Sequence, residues 1–244
     1  MNHQLNMSKF KPKYPVYIIS KGRYDCCLTA DIFINDGVDF KLVVEPQEQE
    51  LYRSRYGKKV KVLPFSNLGK GGTPARNWCW EDSVKDGFKR HWIFDDNIRK
   101  FRRMYKGHRI PCNANVAMRV IEEFTDRYEN IGISGFNYSM FTPPRTKVPY
   151  RLNCHVYSAM LINNEIPWRW RLKYNEDTDP CLQVVTHGMC TVQFTSFTID
   201  KQRTMTMKGG NAEIYKGKGR LIMARLLEKI WPEHVKVVWK FGRP

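Results

Sequence analysis

Short apolar runs alternate with helical periods along the first hundred residues. Val16-Tyr17-Ile18-Ile19-Ser20 reads as a strand, followed by a Lys21-Gly22-Arg23 turn. Leu28, Ile32 and Phe33 recur at helical spacing, with Asp25 as a candidate cap. Phe40 to Val44 is a second strand, a polar helix covers about Gln47 to Tyr56, and Val60 to Leu63 is a third strand. This alternation predicts a parallel sheet with crossover helices. Thr73 and Pro74 fit the cap and first position of a helix running through Trp80 and Val84. It leads into Trp92-Ile93-Phe94, a run suited to a strand covered on both faces.

Further along, Phe101 to Arg109 is basic with interleaved aromatics, which suits either a solvated surface segment or a nucleic-acid contact. An amphipathic helix is predicted over Ala114 to Tyr128 and a buried strand over Ile131 to Phe136. Tyr138 to Arg151 has no period and reads as a loop. Asn153 to Ile162 is the next predicted strand. A helix carrying Leu182, Val184 and Val185 follows, then a strand over Thr191 to Ile199. Lys208 to Asn211 reads as a turn or phosphate-contacting loop, Gly217 to Ile230 as a helix, and Val235 to Trp239 as a last strand. With no repeat or low-complexity linker, one domain is expected over residues 1–244.

Charge narrows the partner. The chain of 244 residues carries 41 Lys+Arg against 24 Asp+Glu, a net charge of +17. Such a balance suggests a polyanion, either nucleic acid or an anionic surface. The cations are dispersed among aromatics, which favours a folded basic face over a disordered arm. The amino terminus lacks the apolar core of a signal peptide, and no apolar run approaches the ~20 residues of a membrane span. The seven cysteines form no CxxC pair, so reduced, buried thiols in a cytoplasm are expected.

Three features carry chemistry. Asp95-Asp96-Asn97 follows the apolar run without a spacer, at the strand end where open α/β sheets bind ligands. Hard oxygen donors suit Mg²⁺ or Mn²⁺, although Asp and Asn also favour plain turns. The Asn67 to Asn77 stretch joins glycines, Lys70 and Arg76 to a helix start, a setting for a diphosphate or a flexible loop. It is neither a P-loop nor a dinucleotide fingerprint. Glu176, Asp177 and Asp179 open the later helix, where carboxylates suit the helix dipole or a catalytic base.

Taken together, Ser20-Lys21-Gly22-Arg23, Thr73-Pro74-Ala75-Arg76-Asn77-Trp78, Phe94-Asp95-Asp96-Asn97, Asn175-Glu176-Asp177-Thr178-Asp179, Lys208-Gly209-Gly210-Asn211 and Trp239-Lys240-Phe241-Gly242-Arg243 resemble a GT-A glycosyltransferase. More narrowly, the chain resembles the TET-associated glycosyltransferases of bacteriophages and the related base J glucosyltransferases, from about Tyr17 to Phe241. The resemblance implies a Rossmann-like, mostly parallel sheet flanked by helices, with a mixed C-terminal acceptor part. Residues of about 15–100 would bind the nucleotide sugar and those of about 101–244 the acceptor.

It also implies inverting transfer of a sugar, glucose by default, from a UDP-sugar to a 5-hydroxymethylpyrimidine in duplex DNA, with 5-hydroxymethylcytosine favoured. Asp95-Asp96-Asn97 matches the DXD motif, with Asp96 and Asn97 on Mn²⁺ or Mg²⁺. Ser20, Arg23, Lys70, Arg76, Asp95, Asp96 and Lys208 would hold the donor. Asp177 would be the base with Glu176 beside it, and Asp179 next in line. Arg145, Trp168, Trp170 and Asp179 would serve the DNA acceptor, with the base flipped into the pocket, although either tryptophan reads equally well as a buried core residue. A monomer in the cytoplasm of a phage-infected bacterium is expected.

Competing readings are a metal-dependent nuclease, a non-catalytic DNA-binding module, and a glycosyltransferase with a non-DNA acceptor. The nuclease reading leaves the Gly69 to Asn77 loop without a role, and the binding module leaves two acid clusters unexplained.

Overall fold

The computed structural model describes residues 10–66, 69–173, 175–202, 219–240, 242 and 244. Strands β1 (Val16–Ile19), β2 (Lys41–Val44), β3 (Val60–Val62) and β4 (Arg90–Asp95) alternate with helices α1 (Leu28–Asp36), α2 (Gln49–Tyr56) and α3 (Thr73–Lys85). The four strands pair in parallel in the order β3-β2-β1-β4. Their apolar residues are buried on both faces, because helices cover the sheet.

Beyond β4 the sheet becomes mixed. It adds β5 (Ile98–Tyr105), β6 (His108–Pro111), β7 (Ile131–Tyr138), β8 (Tyr150–Leu152), β9 (Ala159–Asn163) and β10 (Cys190–Lys201). The full order is β3-β2-β1-β4-β9-β7-β10-β5-β6, with β8 on β10. Only β5, β8 and β9 run against the rest, so seven of the ten strands point one way. Helices α4 (Ala114–Thr125), α5 (Thr178–Thr186) and α6 (Gly219–Ile230) complete the described elements. This is the expected α/β architecture, Rossmann-like in its first half.

Two apolar clusters sit on either side of the sheet. One gathers Phe33, Phe94, Phe101 and Phe136 with Trp92; the other gathers Tyr17, Trp80, Ile93 and Trp170. The buried Glu122 of α4 accepts from Trp92 Nε1 at 2.8 Å and from the Lys13 amide at 2.8 Å, pinning the chain entering β1. Among the described residues no helix is long and apolar enough to cross a membrane. All seven cysteines are free thiols.

Several local expectations give way to tertiary context. The cap position of α1 is Cys27, not Asp25, with no side-chain cap bond. Gly72 holds the cap position of α3, and Thr73 turns its hydroxyl onto the Leu172 carbonyl instead. Phe101 to Arg109 is a hairpin of β5 and β6, with Phe101 in the core. The strand expected from Asn153 shortens to β9, because Asn153 and Ser158 take left-handed φ values of 52° and 64°. Val235 to Trp239 forms no strand, and the Val237 amide bonds to Glu228 Oε1 of α6 rather than to a neighbouring strand.

Candidate active site

The carboxyl ends of β1, β4, β7 and β10 meet the amino end of β9 at one edge of the sheet. There the Asp95 amide donates to the Ser158 carbonyl at 2.8 Å, locking β4 to the turn before β9. Side chains alternate along a strand, so consecutive residues at its end face opposite ways. Asp95 and Asp96 accordingly build two separate clusters.

On one side, Asp96 Oδ2 accepts from Ser20 Oγ at 2.6 Å and Asp96 Oδ1 pairs with Arg23. Tyr52 of α2 completes this cluster, with its hydroxyl 2.7 Å from Ser20 Oγ and 2.9 Å from the Arg23 amide. Burial pushes the Asp96 carboxyl above the ordinary range, against the pull of Arg23.

On the other side, three carboxylates surround one buried guanidinium. Arg76 Nη2 lies 2.8 Å from Asp95 Oδ1, 3.6 Å from Asp177 Oδ1 and 4.0 Å from Glu176 Oε1. Gly72 sits against this side chain, where an added Cβ would stand 3.7 Å from Arg76 Nε and 3.4 Å from Ile19. A second cation closes the cluster. Lys201 Nζ, at the end of β10, donates to Asp95 Oδ2 at 2.6 Å and to Ser158 Oγ at 2.7 Å. The Tyr138 hydroxyl lies 2.6 Å from the same Ser158 Oγ.

The acids of this cluster are tuned apart. Burial opposes ionisation of Asp95, but Lys201 and Arg76 outweigh it and hold its carboxyl far below the usual range. Glu176 is raised to about 7 by burial and by the neighbouring Asp177 charge. Asp177 Oδ2 accepts from the Ser158 amide at 3.3 Å, while its Oδ1 is buried with no hydrogen-bond partner among the described residues.

Secondary contacts fix the acid-bearing segment. Asn77 of α3 exchanges two hydrogen bonds with the Trp170 backbone, at 2.8 and 3.0 Å. Asn175 takes a left-handed φ of 51°, which turns the chain into Glu176 and Asp177 just before α5.

The structure thus brings Asp95, Arg76, Glu176 and Asp177 together, and groups Ser20 and Arg23 with Asp96. Other expected residues lie elsewhere. Asp179 is 0% exposed, held by Arg171 Nη2 at 2.9 Å, Gln183 Nε2 at 2.8 Å and Trp231 Nε1 at 2.8 Å, so it anchors α5 instead of facing an acceptor. Trp170 is 2% exposed and packs edge-on against Trp80, with its face toward Arg76, and is core rather than a stacking platform. Trp168 is half-buried against His187. Lys70 and Arg145 are exposed on loops, and Lys208 lies outside the described residues. Lys201, Ser158 and Tyr52 carry no motif signal in the sequence. Only the common direction of β4 and β10 brings Lys201 to Asp95.

Among the described residues no three His, Cys, Asp or Glu side chains form a metal cluster. Both Asp95 oxygens are taken by Arg76 and Lys201, and Asp96 is engaged by Ser20 and Arg23. Asn97 Oδ1, next in the chain, is buried without a partner among the described residues. Such a donor set fits a cation shared with substrate phosphates, not an all-protein cage.

No curated protein sequence matches this chain. Among solved structures it is similar to the inositol-1-phosphate CTP transferase from T. maritima, at 10% identity and a TM-score of 0.42 over 91% of this chain and 98% of that one. The family model of the TET-Associated Glycosyltransferases matches residues 14–210, most of the length and both acid clusters. The chain therefore belongs to the TET-associated glycosyltransferase family and is a glycosyltransferase.

Proposed function

We propose that this enzyme transfers a sugar from a UDP-sugar to the hydroxyl of a 5-hydroxymethylpyrimidine in DNA, with inversion at the sugar carbon. The observation that carries the reading is the convergence of Asp95, Glu176 and Asp177 on Arg76, at the strand ends where α/β sheets bind ligands. The net charge of +17 supports a nucleic-acid acceptor.

Ser20 and Arg23 hold the nucleoside side of the donor, and Arg76 and Lys201 face its diphosphate. Asp96 and Asn97 would hold Mn²⁺ or Mg²⁺ together with donor phosphate oxygens. When bound, that cation supplies charge stabilisation on the departing UDP. The acceptor hydroxyl oxygen attacks the sugar's anomeric carbon as the bond to UDP breaks and UDP leaves with its electron pair. The hydroxyl proton passes to the Glu176–Asp177 pair. A base works best with a pKa near the working pH, and Glu176 at about 7 meets that condition. Asp177 orients the acceptor and Glu176 receives the proton. Arg76 keeps both carboxylates in place between turnovers.

The test is a mass spectrum of nucleosides. The protein is incubated with Mn²⁺, a panel of UDP-sugars, and duplex DNA carrying hydroxymethylcytosine or hydroxymethyluracil. A nucleoside heavier by one sugar confirms the reaction and identifies donor and base. UDP release without a modified nucleoside would move the acceptor away from DNA. Neither product from folded protein would overturn the donor assignment.

A further inference from the structure

We propose that duplex DNA docks on the basic surface made by the β5–β6 hairpin and the 139–152 segment, with Met140 and Phe141 as a wedge beside the site. This rests on the reading that the acceptor is a base in DNA, and adds where the duplex lies.

Two long stretches of the chain, residues 97–121 and 130–164, contain no acid at all, although the whole has 24. The first carries six cations between Arg99 and Arg109, and the second carries Arg145, Lys147 and Arg151. The fold lays them side by side. Arg109 donates to the Thr142 carbonyl from Nε at 3.2 Å and Nη2 at 2.9 Å, and Gly107 faces the Pro144 carbonyl. Of these nine cations, only Arg102 has a salt-bridge partner among the described residues, Asp200 at 2.6 Å. Lys100 and Arg109 share the hairpin face that meets this segment, while Arg103 lies on the other, and unpaired cations gathered around one hairpin are the expected footprint of a phosphate backbone.

The hairpin projects these charges. Lys106 and Gly107 take φ values of 46° and 78°, the two-residue turn that matches the twist of paired strands. At the tip Tyr105 is 49% exposed, with the Arg103 guanidinium 5.1 Å and the Lys106 ammonium 5.4 Å from its ring. From Ile98 to Tyr105, eight residues span about 25 Å, roughly seven base steps of a duplex.

The other end of this surface touches the acid cluster. Phe141 stacks on Tyr138 at 5.9 Å, and Tyr138 reaches Ser158 and through it Lys201. Yet Phe141 is 52% exposed and its neighbour Met140 74% exposed. Two large apolar side chains standing in water among cations suit insertion into a base stack, the use made of Phe and Met by proteins that kink or open a duplex. A 5-hydroxymethyl group lies in the major groove beside the stack, and turning its base out to bring the hydroxyl to the carboxylates at the strand ends would leave a gap for these side chains to fill.

The test is duplex binding by the full chain across a salt series. The triple variant K100Q/K106Q/K147Q should make the dependence of log K on log salt shallower by about 2 to 3. A control, K58Q/K59Q/K61Q on the opposite edge of the sheet, should change it by less than about 1. Equal effects from both would overturn the docking surface. The variant M140S/F141S should lower transfer to a duplex at least 10-fold, while transfer to the same base in a single strand changes less than about twofold. Equal loss on both substrates would overturn the wedge. Donor hydrolysis by the wild-type protein with no affinity for any duplex would instead overturn the DNA reading itself.

Discussion

Lys201 Nζ sits 2.6 Å from Asp95 Oδ2, an ion pair between the ends of β10 and β4. It places a fixed cation among three carboxylates already sharing Arg76. Replacing Lys201 by Met leaves one buried carboxylate half-neutralised. Transfer should fall by about 100-fold, the scale of losing one preorganised electrostatic contact. Stability should drop by about 3 kcal/mol. Lys201→Arg should recover the melting temperature more fully than the turnover, because Arg keeps the charge but moves it. Thermal unfolding and kcat on the three proteins check this.

Arg76 is the buried counter-charge for Asp95, Glu176 and Asp177. Removing it as Arg76→Gln strands three acids, and the expected cost is about 3–5 kcal/mol in chemical denaturation. If stability were unchanged, the acids would not depend on Arg76.

Glu176 gives the pH dependence its sign. Its carboxyl is raised from 4.5 in the unfolded chain to about 7 in the folded one. The folded state therefore binds more protons, and this contribution to stability is full below pH 4.5 and lost as pH rises through about 7. The Glu176→Gln variant should flatten the stability profile in that window and be relatively more stable above it. It should also lose the rise of transfer rate through neutral pH. A parallel profile in wild type and variant would remove Glu176 from the base pair.

Trp170 and Trp168 should separate by role. Trp170→Ala opens a hole against Trp80 and should cost about 3–5 kcal/mol. Trp168→Ala, at a half-buried position, should cost about half as much or less. Equal costs would contradict the packing around Trp80.

Metal dependence has its own readout. Mn²⁺ alone should raise the melting temperature little, and Mn²⁺ with UDP substantially, because a cation held by one or two protein oxygens gains its remaining ligands from phosphates. EDTA should stop transfer and Mn²⁺ restore it. Asn97→Leu should raise the Mn²⁺ concentration needed in both assays. A large shift from Mn²⁺ alone would indicate an all-protein cage.

The sequence by itself determined the order of elements through β4 and the helix carrying Arg76. It also placed Asp95-Asp96-Asn97 at a strand end and Glu176-Asp177 at a helix start. These rest on local rules: side-chain period, turn chemistry and helix capping act within a few residues. Only the tertiary structure decided which way each acid faces. Period two sends Asp95 and Asp96 to opposite sides but does not say which side meets Arg76 and which Arg23. Lys201 reaches Asp95 across 106 positions because β4 and β10 run the same way, a consequence of pairings that no local pattern encodes. The same reason hid the burial of Trp170 and Asp179. An aspartate at a helix start looks exposed in sequence, and a tryptophan among arginines reads equally as core or as a stacking surface. Trp80 and Arg171 with Trp231 bury them from distant or folded-over segments.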